Sequence, residues 1–225
     1  MARGTIAVYI EQGKTRCFAV AVDWPGWARI GAGEEEALDA LARYVKRYRE
    51  AIAAARRDLP ASLQPDQLRV VERLAGGSGT DFGAIGAIPP SDGLPLGGPE
   101  LRRQLGMLTA SWKAFERAAD AAKGVKLTTG PRGGGRTLAK IRAHVDEADR
   151  AYMSKVGGSL PAGARGDTDA LRAAFGEAIR ERAAGRVPDF GPRGGARWPA
   201  RYAIRRAAWH ALDHAWEIED RSGRT

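Results

Sequence analysis

The chain contains three histidines, and two of them, His210 and His214, stand four residues apart. On a helix that spacing stacks both imidazoles on one face, within reach of a single ion. His144 falls beside the apolar seam of an earlier helical segment, and facing helices commonly build a metal site between them. Three neutral imidazoles leave a fourth position open for water or substrate, as in catalytic zinc centres. Asp213 and Glu217 follow the paired histidines by three residues, and Glu147 follows His144 by three. These carboxylates could orient an imidazole or act as general base. The bland alternative is a buried, hydrogen-bonded set of histidines with no ion.

A second source of chemistry is a repeat. Gly130-Pro131-Arg132-Gly133-Gly134-Gly135-Arg136 precedes one histidine-bearing helix, and Gly191-Pro192-Arg193-Gly194-Gly195-Ala196-Arg197 precedes the other. Free backbone N–H groups, a helix N-terminus and Arg132, Arg136, Arg193 and Arg197 could together hold an acidic substrate. The same loops also read as caps, with their arginines paired to nearby carboxylates. No P-loop, dinucleotide fingerprint, paired-cysteine motif or serine-triad signature is present.

The elements that must position these groups are legible from periodicity. Thr5–Glu11 and Thr15–Val22 form a hairpin across Gln12-Gly13-Lys14. Asp23-Trp24-Pro25-Gly26-Trp27 is a turn, Ala28–Ile30 a third strand, and Glu34-Glu35-Glu36 opens a helix running to about Arg57. Leu68–Leu74 reads as a further strand. Residues 76–98 are rich in Gly and Pro and read as a linker. From Pro99 four helical segments follow. Thr137 caps the second, the Asp167-Thr168 pair the third, and the fourth runs from Pro199 to about Arg221. The expected fold is therefore α+β: a β-β-β-α-β unit over residues 1–75, the linker, and a four-helix bundle over 99–225. Trp112, Trp198, Trp209 and Trp216 read as core. Trp24 and Trp27 read either as a partner surface or as lining of the small sheet, and Cys17 as a buried, inert thiol.

Composition bounds the partners. With 44% hydrophobic and 28% charged residues the chain falls in neither the disordered nor the membrane class. No apolar run approaches the ~20 residues that span a bilayer, and the N-terminus lacks an apolar leader, so a cytoplasmic location is expected. The net charge of +9 would suit an anionic partner, but no run of five like charges concentrates it. A solvated basic surface is expected rather than a nucleic-acid interface.

Two segments carry a family likeness. Ile141-Arg142-Ala143-His144-Val145-Asp146-Glu147-Ala148, with Ala208-Trp209-His210-Ala211-Leu212-Asp213-His214-Ala215-Trp216-Glu217, resembles the histidine motifs of the DinB/YfiT-like superfamily over roughly residues 99–221. That resemblance implies His144, His210 and His214 as ligands of a divalent metal, often zinc or nickel; zinc is expected first, with nickel or iron as alternatives. It also implies a homodimer and thiol-dependent transferase or hydrolase chemistry, with mycothiol as a candidate cosubstrate. Arg206 ahead of His210-x-x-Asp213 echoes the mycothiol-dependent members. Phe18–Val22, the Asp23-Trp24-Pro25-Gly26-Trp27 turn and the Glu34-Glu35-Glu36-Ala37-Leu38 helix start are similar to the HicB antitoxin-like fold. No helix-turn-helix follows, so a scaffold or pairing role is implied there rather than operator binding. The two parts together resemble actinobacterial proteins that carry both. The resulting expectation is a metal-dependent enzyme acting on a small acidic substrate. The alternative is a binding module, for RNA or a protein, with a structural metal.

Overall fold

The computed structural model describes residues 5–55, 58–130 and 135–223. It divides into two compact units, Met1–Leu94 and Pro95–Thr225.

The first unit is built on strands β1 (Ile6–Gln12), β2 (Cys17–Ala21), β3 (Ala28–Gly31) and β4 (Leu68–Ala75), in the sheet order β3-β2-β1-β4. β1 and β2 pair antiparallel with Gln12 opposite Cys17, β2 and β3 pair antiparallel, and β4 adds to β1 in parallel with a bulge at Val8/Tyr9. Between β2 and β3, Pro25 and Gly26 make the turn: Gly26 has φ 93° and Trp27 N–H donates to Trp24 O at 3.1 Å. That is the type II pattern, proline first and glycine at the left-handed position. The expected helix breaks at Tyr44 into α1 (Glu34–Arg43) and α2 (Val45–Ala51); Arg57 lies outside the described residues. A Cβ at Gly31 would sit 2.4 Å from Ala37 N, so glycine there lets β3 pass tight against the start of α1.

Trp24 and Trp27 are core, not surface. Trp27 stacks on Tyr48 at 5.3 Å and donates Nε1–H to Leu41 O at 3.0 Å, while Tyr48 Oη–H donates to Pro25 O at 2.8 Å. Trp24 meets the same Tyr48 edge-on. Cys17 is also buried, and burial pushes its thiol up to about 11.

The segment expected as a linker is largely part of this first unit. It contains a short helix, α3 (Ser78–Phe82), and two carboxylates bind it to the hairpin. Glu11, fully buried on β1, accepts from Thr80 Oγ1 (2.6 Å), Gly86 N (2.9 Å) and Ala87 N (3.0 Å). Asp81 reaches back to the β1–β2 turn and accepts from the backbone of Lys14, Thr15 and Arg16.

The second unit has four long helices among the described residues: α4 (Gly98–Ala121), α5 (Leu138–Lys155), α6 (Thr168–Ala183) and α7 (Ala200–Arg221). Thr137 accepts from Lys140 N and Asp167 from Ala170 N, so the expected caps are in place. α7 packs on α4, α5 and α6, and its alanines 203, 207, 208, 211 and 215 are all buried. Small side chains around this helix let three neighbours approach it. Leu108, Phe115, Ile141, Val145, Phe175, Ile179 and Ile204 fill the shared core. α5 and α7 run antiparallel: Trp198 N donates to Lys155 O at one end, and His144 meets His210 towards the other.

An ionic cluster ties α4, α5 and α6, with one buried carboxylate in it. Glu116 accepts from Arg142 (2.5 Å) and pairs with Arg172 (2.9 Å), and Arg172 Nε lies 3.8 Å from Asp149 Oδ2. Asp149 is almost wholly inaccessible, and neither of its oxygens has a geometric hydrogen-bond partner among the described residues. Burial pushes it up to about 7, with the Arg172 charge pulling the other way.

Candidate metal centre

The three histidines converge. Each offers one ring nitrogen, and these three atoms lie within 4.8 Å of one another. α7 supplies His210 and His214 one turn apart, with rings 4.6 Å apart, and antiparallel α5 sets His144 opposite them at 5.0 and 5.1 Å. His210 and His214 are buried, and His144 is half-buried at the open side of the group.

The spacing suits a cation. His144 Nε2 and His210 Nε2 are 3.3 Å apart. Two nitrogens on one tetrahedral zinc, each about 2.0–2.1 Å from it, stand about 3.3–3.4 Å from each other. The donor chemistry also suits: burial pushes His210 down to about 2, and the neighbouring His214, His144, Arg206 and Arg136 act in the same direction. His144 is lowered as well, by burial first and then by Arg136 and His214. Both imidazoles are thus neutral bases at neutral pH, the form that binds a metal. A hydrogen bond between two neutral imidazoles fits the same 3.3 Å.

His214 has a defined partner outside the histidine group. Its Nδ1 lies 2.7 Å from Glu217 Oε2. A carboxylate can only accept, so Nδ1 carries a proton and Nε2 is the ring nitrogen left for an ion. Glu217 in turn accepts from Arg221 Nη1 at 2.6 Å through Oε1. Burial raises the Glu217 carboxyl, but the bonds from His214 and Arg221 outweigh it and hold it below its ordinary value. With both oxygens engaged, Glu217 is placed to orient His214 rather than to take protons from a substrate.

The other expected groups divide by position. Glu147 is exposed and close enough for its charge to act on His144. Asp213 is half-buried on α7, one turn from His210. Arg136 bears electrostatically on both His144 and His210. Arg206, one turn before His210, lies over the rings of Trp209 (4.8 Å) and Tyr152 (5.6 Å), and Tyr152 meets His210 edge-on at 5.9 Å.

Arg193 and Arg197 are placed elsewhere. Arg197 Nη1 would be 3.1 Å from a Cβ at Gly157, just beyond the end of α5, and Gly157 is about 20 Å along that helix from His144 at 1.5 Å per residue. Their loop closes on itself through Gly191 N to Gly195 O, and Arg193 is exposed. Arg132 lies outside the described residues. Sequence reading missed Arg221, although the spacing His214-x-x-Glu217-x-x-x-Arg221 of i, i+3 and i, i+7 was visible.

Comparison with protein-family models, curated proteins and solved structures finds no match to this chain. Among the described residues no helix is long and apolar enough to cross a membrane.

Proposed function

We propose that the second unit is a DinB-like four-helix bundle whose His144, His210 and His214 hold one divalent cation, with zinc first among candidates and nickel or iron as alternatives. The observation that carries this reading is the convergence of three ring nitrogens from two antiparallel helices, two of them at the separation a tetrahedral ion sets. In this reading the protein is a metal-dependent enzyme for a small acidic substrate, either a thiol-dependent transferase, with mycothiol as candidate cosubstrate, or a hydrolase.

The cation would supply Lewis acidity, lowering the pKa of a water or thiol in the open position. The chain supplies the rest. Glu217 fixes the His214 tautomer. Glu147 stands beside the open side of the group as proton acceptor. Arg136 and Arg206 add positive charge at His210, which favours an anionic group in the position the histidines leave open. The alternative of an RNA- or protein-binding module has lost its aromatic surface, because Trp24 and Trp27 are buried.

Metal content decides the matter. Protein purified without chelator or histidine tag should carry about one equivalent of a first-row metal, lost in His210→Ala. Protein that neither retains nor takes up zinc, nickel or iron overturns this reading and leaves the hydrogen-bonded histidine cluster.

A further inference from the structure

Arg221 closes α7, yet it is buried, and its planar guanidinium serves three acceptors in different directions. Nη1 donates to Glu217 Oε1 (2.6 Å), Nε to Thr128 O (2.8 Å) and Nη2 to Arg136 O (3.0 Å). Its own carbonyl accepts from Thr128 N at 2.9 Å and from Thr128 Oγ1 at 3.1 Å. A Cβ at Gly135 would come within 2.8 Å of Nη2, so that residue is bare where the guanidinium passes.

These contacts join two things that bear on the histidines. One is the Glu217 carboxylate, which sets the proton of His214. The other is the main chain at Arg136, whose charge acts on His144 and His210. We infer that Arg221 is a positioning residue for the metal centre, holding with one guanidinium both the carboxylate that orients His214 and the backbone that places Arg136 beside the site. This rests on the metal reading above.

Arginine is required by the geometry. Five donors in a rigid fork can address three acceptors at once, whereas a lysine ammonium is a point charge on a flexible stem. Lysine at 221 could keep the charge beside Glu217 and would give up the fixed geometry. Alanine at 135 keeps the guanidinium and pushes it off its seat. A residue that merely capped the helix would change stability when replaced and leave the metal ligands as they were.

The test uses the full chain, with zinc competed against a chromophoric chelator and cobalt(II) absorption reporting ligand geometry. Arg221→Lys and Gly135→Ala should each weaken zinc binding by about 10- to 100-fold, the usual effect of losing a group that orients a ligand, and should alter the cobalt(II) bands. Glu217→Gln combined with Arg221→Lys should weaken binding by less than the sum of the single losses, because part of what Arg221 does passes through Glu217 to His214. If Arg221→Lys fails to fold, Gly135→Ala decides. Variants with wild-type zinc affinity and cobalt(II) spectra, or additive losses in the pair, overturn this inference alone. Wild-type protein that binds neither metal overturns the metal reading and this inference with it.

Discussion

Glu217 Oε2 stands 2.7 Å from His214 Nδ1, which leaves Nε2 as the ring nitrogen for an ion. This contact selects the tautomer whose Nε2 is free to bind. Glu217→Gln offers an amide that can present either an acceptor or a donor to Nδ1, so the selection weakens. The expected result is a roughly 10-fold loss of zinc affinity. Imidazole 15N shifts in the metal-free protein should show His214 mixing tautomers, and a ring that keeps a single Nδ1–H form would refute the assignment.

Two buried groups give the metal-free protein opposite pH dependences. His210, pushed down to about 2, stays neutral in the folded chain while the unfolded chain takes up a proton below about 6.5, so stability falls as pH falls through that range. Asp149, pushed up to about 7, holds a proton in the folded chain that the unfolded chain has released, so stability rises as pH falls from about 7 towards 4. Each contributes at most about 1.4 kcal/mol per pH unit, and between about pH 4 and 6.5 they oppose each other. Asp149→Asn should therefore be more stable than wild type at pH 8 and lose stability more steeply on acidification. Urea melts across pH 4–8 measure this, and parallel curves would contradict it.

Glu11 is the anchor of the segment that follows β4. Glu11→Ala leaves the N–H groups of Gly86 and Ala87 and the Thr80 hydroxyl without their buried acceptor. A loss of about 3 kcal/mol is expected, at the level of removing one partner from a buried charged network. Limited proteolysis should then cut near residues 80–90 before any other described part of the unit. Unchanged cleavage would show that other contacts hold the segment.

Cys17 is buried at the start of β2, its thiol pushed up to about 11 by burial. The thiolate is the reactive form. The native protein should therefore be inert to a thiol-reactive disulfide dye for hours at pH 8 and react at once in denaturant. Prompt native labelling would mean that β2 opens locally.

The local parts of this architecture were legible in the sequence because local chemistry sets them. Thr137 and Asp167 cap their helices, and Pro25-Gly26 turns the chain, by contacts within three residues. The histidine group was legible because helical spacing places His210 with His214, and the seam of α5 faces α7. Three features were hidden. Periodicity runs through Tyr44, where the backbone leaves the helix for one residue before turning again. The Gly/Pro composition of residues 76–94 gives no sign that Glu11 and Asp81 capture that stretch, since those contacts span 65 to 76 positions. The matched Gly-Pro-Arg-Gly-Gly loops suggested one shared task, but they lead into antiparallel helices. Arg136 therefore acts on the histidines, while Arg197 lies against the far end of α5.

The capture of residues 76–94 also fixes where this protein can be divided. A gene fragment ending at codon 75 would encode the whole four-stranded sheet and still yield a defective product. Its fully buried Glu11 would lose the donors of Thr80, Gly86 and Ala87, and the hairpin turn would lose the carboxylate of Asp81. A fragment extended through Leu94 keeps both. The end of the first unit is thus set by two acidic side chains and their donors rather than by its last strand.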